Sequence, residues 1–144
     1  MTLIRPYSLR LSVFLSCVIL AVSGCDKQPP PIAAVSGKVT FQEAAVKHGE
    51  VVFMSPKGFG CSAFIDSEGG YSLRSQYGKG IPQGSYKVAV APPAPLGNGS
   101  DVNEKQIELL YPEFPEKYRE FATSGLEVTI GDQPLVFDIN MEAK

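Results

Sequence analysis

An all-β fold is the expectation for this chain: a single antiparallel β-sandwich of about seven strands, with one long insertion carrying a short helix. Three observations predict it. From Val35 to Met141, apolar residues alternate with polar ones at period two over most of the chain, the pattern of strands with one buried and one wet face. The alternating runs are short and separated by glycine, proline and acidic turn clusters, as in a sheet protein rather than a helical bundle. Glycine and proline supply 14 and 12 of the 144 residues, beside 44% hydrophobic and 19% charged. That composition is turn-rich and able to bury a core, and is neither disordered nor collagen-like.

The elements follow in order. In residues 1–24, Arg5 and Arg10 precede an apolar run over residues 11–22. A membrane-spanning helix needs about 20 apolar residues, so this run has the length of a signal-peptide core rather than of a permanent span. Residues 26–31 are polar, then proline-rich, and suit an extended spacer. Val35, Gly37, Val39 and Phe41 alternate with Ser36, Lys38 and Thr40 as the first strand, and residues 51–54 form an apolar core run. Ala63 and Ile65 lead into Asp66-Ser67-Glu68-Gly69-Gly70, a hairpin turn in which glycine supplies positive φ and Asp66 caps with its side chain. Tyr71 and Leu73 follow as the next strand. Tyr86, Val88 and Val90, then Leu126, Val128 and Ile130, then Leu135, Phe137, Ile139 and Met141 continue the alternation. Further turns are expected at Lys47-His48-Gly49, Pro82-Gln83-Gly84 and Gly131-Asp132-Gln133. The predicted core comprises Phe41, Phe53, Ile65, Leu73, Tyr86, Val88, Val128 and Phe137.

Residues 92–124 break the pattern. Their first part, residues 92–101, is a loop by composition and is expected to be mobile. Their second part predicts a helix near residues 115–121, since Pro115 suits a first helical position and Glu116 the positive helix end. Phe114, Tyr118 and Phe121 then form one apolar stripe, so the insertion is expected to fold back over one end of the sandwich.

Residue counting limits the chemistry. There is one His, no Trp and only three Cys, too few for a His- or Cys-rich metal site. Asp66 and Glu68 fall short of the six to eight oxygens of a calcium site, so no metal and no cofactor are expected. Lys and Arg total 13 against 15 Asp and Glu, a net charge of −2, which offers no nucleic-acid footprint. Cys61 stands in an apolar-leaning stretch and is expected to be a small buried hydrophobe. His48, in its turn, is expected to be solvated. No Gly-x-Ser-x-Gly occurs, and no catalytic residue is assigned.

Val22-Ser23-Gly24-Cys25, directly after the apolar run, resembles the lipobox of bacterial lipoproteins. The resemblance implies cleavage between Gly24 and Cys25, a diacylglyceryl group on the Cys25 thiol and acylation of its amine. Several acyl chains on one residue make a stable anchor where one would be marginal. Asp26 matches the inner-membrane retention pattern of enteric lipoproteins. Without Arg5 and Arg10 the net charge falls from −2 to −4, which suggests attachment through lipid rather than through a basic face.

Further motifs resemble the carboxypeptidase-regulatory-like, or transthyretin-like, β-sandwich family, as found in small planctomycete-type lipoproteins. They are Val35-Ser36-Gly37-Lys38-Val39-Thr40-Phe41, the stretch Ala45 to Phe53, the acidic turn followed by Gly-x-Tyr at Gly69-Gly70-Tyr71, and Pro-x-Gly-x-Tyr at Pro82 to Tyr86. The resemblance implies a transthyretin/prealbumin-like Greek key over residues 35–144, behind a signal peptide (1–24) and a lipidated tether (25–34). A related hydrolase of a urate breakdown product uses paired His and Arg residues and ends in Tyr-Arg-Gly-Ser, a signature this chain lacks. The implied function is a lipid-anchored cell-envelope protein facing the periplasm or exterior, whose domain is a non-enzymatic binding or structural module. Its partners are then the membrane, through Cys25, and an envelope protein or polysaccharide. The alternative is a carbohydrate- or peptide-binding module with Tyr77, Tyr111 and Tyr118 as stacking platforms. A transthyretin-related hydrolase is less favoured.

Overall fold

The computed structural model describes residues 28–93 and 104–143. Gly24, Cys25, the leader and residues 94–101 of the loop expected to be mobile lie outside the described residues. Within them the fold is all-β. One sheet has the strand order β5 (Gly60–Phe64), β4 (Glu50–Met54), β8 (Gly84–Ala91) and β9 (Leu126–Ile130), antiparallel throughout. β8 lies at its centre because Val88, Ala89 and Val90 are all buried, leaving only Ser85 and Lys87 of its residues well exposed.

The second sheet is built on β2 (Val35–Phe41). One edge of β2 pairs antiparallel with β3 (Ala44–Ala45) and β6 (Gly70–Ser72). Its other edge runs parallel to β10 (Leu135–Val136) and β11 (Ile139–Met141). A two-strand pair joins β1 (Ile32–Ala33) to β7 (Ile81–Pro82). The described residues thus form eleven strand segments where about seven were expected. The surplus lies in β1, β3, β7 and β10, each two residues long, too short to carry a period-two signature.

The run from Leu135 to Met141, expected as one strand, breaks at Phe137 and Asp138. Gly37 explains the break. A Cβ on Gly37 would lie 2.0 Å from the Phe137 carbonyl oxygen, so only glycine lets that carbonyl turn in over β2 there while the chain keeps its register along the same edge. Tyr71 Oη donates to that same carbonyl at 2.6 Å, and Lys38 N donates to Asp138 Oδ1 at 2.8 Å.

The core lies between the two sheets. Phe53 of β4 meets Tyr71 of β6 with ring centroids 6.2 Å apart, and Phe137 and Tyr86 at 6.3 Å each. Of the predicted core, Phe53, Ile65, Leu73, Tyr86 and Val88 are buried, whereas Phe41, Val128 and Phe137 are half-buried and pack against it. Tyr86 Oη donates to the Pro82 carbonyl at 2.8 Å, which closes the Pro-x-Gly-x-Tyr motif and pins the start of β8. In the acidic turn, Asp66 Oδ1 accepts from the backbone N–H of Glu68 and of Gly70, each at 2.8 Å, and Gly69 has φ +80°.

The insertion carries two helices, α1 (Glu104–Leu110) and α2 (Glu116–Arg119). α2 falls inside the helix predicted near residues 115–121, with Pro115 just ahead of it. α1 was not anticipated: residues 104–110 (EKQIELL) lack a full apolar stripe, although Asn103 ahead of them is a capping residue type in the sequence. Phe114 and Tyr118 are buried and Phe121 is half-buried, so the aromatic stripe packs as expected. Among the described residues, no helix is long and apolar enough to cross a membrane.

Candidate functional site

β8 defines two ends of the domain, about 24 Å apart at a rise of about 3.4 Å per residue. At the Ala91 end the insertion closes over the sheet. Gly49 is the contact point: a Cβ there would lie 2.6 Å from Phe114 Cζ and from the Ala91 carbonyl oxygen, and its φ of +98° suits glycine. Phe114 therefore presses on bare backbone. His48, the preceding residue, is not a free solvated side chain. Its Nε2 lies 2.6 Å from Glu113 Oε1, and its ring lies 5.9 Å from Tyr111 and 5.7 Å from Phe114. The Lys47-His48-Gly49 turn is thus a latch for the insertion.

Two further bonds fix that segment. Arg119 Nε donates to the Phe114 carbonyl at 2.9 Å, and buried Ser124 Oγ donates to the Val88 carbonyl at 2.6 Å. Outside the latch a shallow groove of about 300 Å³ has Phe41, Phe114, Pro112 and Pro115 as its floor and Glu108 and Glu116 on its rim. α1 stands beside it with Leu109 77% and Leu110 63% exposed. The arrangement is an apolar and acidic ledge, held where Glu113 and Phe114 meet His48 and Gly49, with α1 projecting beside it.

The other sequence-singled residues fall elsewhere. Cys61 is half-buried rather than buried, because β5 is an edge strand and alternate residues face an open groove. Its thiol donates to the Arg74 carbonyl at 3.2 Å, and burial raises its pKa. A raised pKa holds it as thiol, the poorer nucleophile. Asp66 spends Oδ1 on its own turn. Tyr118 is buried, and its hydroxyl accepts from Glu142 N at 3.3 Å, so it offers no stacking face. Tyr111 is half-buried against Phe114. Tyr77 is exposed and stacks on Phe59 at 6.2 Å, at the opposite end of the domain. The three tyrosines do not share a face. Glu113 and α1 escaped sequence reasoning, since a carboxylate 65 residues from its imidazole leaves no local signal.

The fold and these features define an all-β domain with one latched helical insertion. No protein-family model matches the chain, and no curated protein matches it. Among solved structures, a DUF3823 family protein from Parabacteroides merdae is a distant structural neighbour. It shares 18% identity at a TM-score of 0.42, over 79% of this chain and 46% of that one. The chain therefore spans about half the length of that protein.

Proposed function

We propose that the protein is a lipid-anchored cell-envelope component, tethered through Cys25, whose domain is a non-enzymatic binding or structural module of carboxypeptidase-regulatory-like, transthyretin-like type. The domain engages an envelope protein through the ledge formed by the insertion. One observation carries this reading: α1 displays Leu109 and Leu110 outward from a segment that Phe114 and the His48–Glu113 pair hold in place. Solvent-facing leucines on a fixed frame are a recognition surface at low entropic cost, because the ordering is done before binding. The raised pKa of Cys61, which holds it as the thiol, supports a role without a cysteine nucleophile. Closure of the Pro82–Tyr86 motif by its own hydrogen bond supports the family resemblance.

The test is crosslinking in native membranes with the doubly substituted chain Leu109→Glu/Leu110→Glu. Both residues are exposed, so the melting temperature should stay within a few degrees while the captured envelope protein is lost. Unchanged capture would remove the ledge from consideration.

A further inference from the structure

At the Gly84 end of β8, residues distant in sequence converge around the point where the tether leaves the domain. Pro31 accepts a hydrogen bond from Gln83 N at 3.2 Å, and Ile32 pairs with Pro82. Pro30 lines a groove of about 440 Å³ together with Pro56, Lys57, Phe59 and Pro82. The loop carrying Tyr77 and Lys79 packs on this corner, since a Cβ on Gly78 would touch Ile32 Cδ1 at 3.5 Å and one on Gly80 would overlap the Ala33 carbonyl. Arg74 follows Leu73, whose N–H donates to the Val35 carbonyl at 2.9 Å, and so belongs to the same end.

Lys57, Arg74, Tyr77 and Lys79 are all exposed. None of the ion pairs among the described residues involves the three cations. The acidic residues near this end, among the described residues, are Asp132 in the turn after β9 and Glu127, which lines a groove with Pro56 and pairs with Lys87 at 3.8 Å. The far end is net acidic, with Glu43, Glu68, Glu108, Glu116 and Glu142 exposed there beside Lys47, Lys105 and Lys117. In a chain with net charge −2 the two ends therefore differ in sign, and the whole-chain balance conceals a basic end.

We propose that this basic, tyrosine-bearing end is a docking face for the anionic phospholipid surface to which the tether leads. The inference rests on Cys25 being the lipidated residue. Five residue steps separate Cys25 from Pro30, so the anchor lies within about 18 Å of the face even at full extension. Cations near an anionic leaflet each contribute about a fivefold gain in association. Tyr77, 38% exposed and stacked on Phe59, is of the amphipathic residue type that suits the headgroup layer. The tether supplies a high local concentration, so a weak face suffices. Docking this end down turns the insertion, at the other end of β8, away from the membrane.

The experiment uses the full processed protein in vesicles, either pure phosphatidylcholine or phosphatidylcholine with phosphatidylglycerol, read by backbone hydrogen exchange. Anchoring is the same in both, and only the headgroup charge differs. Exchange in residues 55–59 and 74–80 should slow on phosphatidylglycerol. The protection should disappear at about 1 M salt, where screening acts within about 3 Å. Removing one charge should weaken docking about fivefold, so Lys57→Gln/Arg74→Gln/Lys79→Gln should exchange equally on both vesicles. Lys105→Gln/Lys117→Gln, at the other end, should behave as the parent. Equal exchange of the parent on both vesicles overturns the proposal. Intact mass of the same preparation reports separately on the lipid at Cys25. If that lipid is absent, salt-sensitive sedimentation of the protein with phosphatidylglycerol vesicles still supports the face, and its absence overturns it.

Discussion

Gly37 and Tyr71 show how much a single position controls. The C-terminal chain runs beside β2 with the Phe137 carbonyl turned in over Gly37, where a side chain would be, and Tyr71 Oη donates to that carbonyl. Gly37→Ala forces either β2 or the Phe137–Asp138 jog to move. It should cost about 2 kcal/mol or more, in the upper range of overpacking substitutions, and a denaturant midpoint well below the parent's checks it. Tyr71→Phe removes the only donor on a part-buried bond and should cost about 1–2 kcal/mol. The same phenol sets an alkaline limit. Burial, and then the Asp138 charge, raise its pKa above the ordinary 10.0. Above that value the unfolded chain releases a proton that the folded chain keeps. Tyr71 therefore contributes fully below about pH 10, and that contribution is lost as pH rises further. Denaturant titrations between about pH 9 and pH 11 should show a steeper loss for the parent than for Tyr71→Phe; parallel curves would mean another group sets the limit.

At the level of elements, the insertion is held by two contacts of unequal weight. Phe114 is fully buried against Gly49, so Phe114→Ala should cost about 3–5 kcal/mol and lower global stability. The His48–Glu113 pair is half-exposed at His48, with a side-chain accessibility of 46%, and exposed pairs contribute about 1 kcal/mol or less. His48→Ala should leave the midpoint almost unchanged but loosen the insertion locally. Limited proteolysis within residues 104–123 reads this directly. Faster cleavage at unchanged midpoint is the expected result, and unchanged cleavage would show that Phe114 alone holds the segment. The unequal weights follow from burial: the ring is removed from water entirely, whereas the imidazole trades one solvated partner for another.

Across the whole molecule the two ends differ in charge, in the elements they carry and in what each is proposed to meet. The tether end gathers Lys57, Arg74 and Lys79 about Tyr77, and the insertion end displays leucines among glutamates. Lipid on Cys25 would orient the domain between membrane and partner. Cys25→Ser should abolish metabolic labelling of the protein with a radioactive fatty acid and block its removal from the leader. Labelling that persists would place the acyl chains on another residue and displace the anchor from the tether.

Part of this was written locally in the chain. The strands around Tyr86, Val88 and Val90, and around Leu126, Val128 and Ile130, were legible because period-two alternation is a property of neighbouring residues. The Asp66 turn was legible for the same reason, since its side chain and the amides it caps lie within four positions. Phe114 and Tyr118 were legible as packed residues because so much aromatic surface is costly to leave in water. The rest depended on closure over long separations. Glu113 reaching His48, the Phe137 carbonyl turning over Gly37 and β11 aligning parallel to β2 leave no trace in any window, because each is a contact between segments positioned by other segments. The basic end is a mixed case. Arg74 and Lys79 share the loop after β6, Lys57 stands in the loop between β4 and β5, and residues 51–65 and 69–100 hold no Asp or Glu, so the local excess of cations is visible in sequence but its position is not. Only the pairing of β4 with β5 and β8, and of β6 with β2, brings those loops beside the tether. Composition conserves total charge and cannot specify its direction; the topology of the sheets does that.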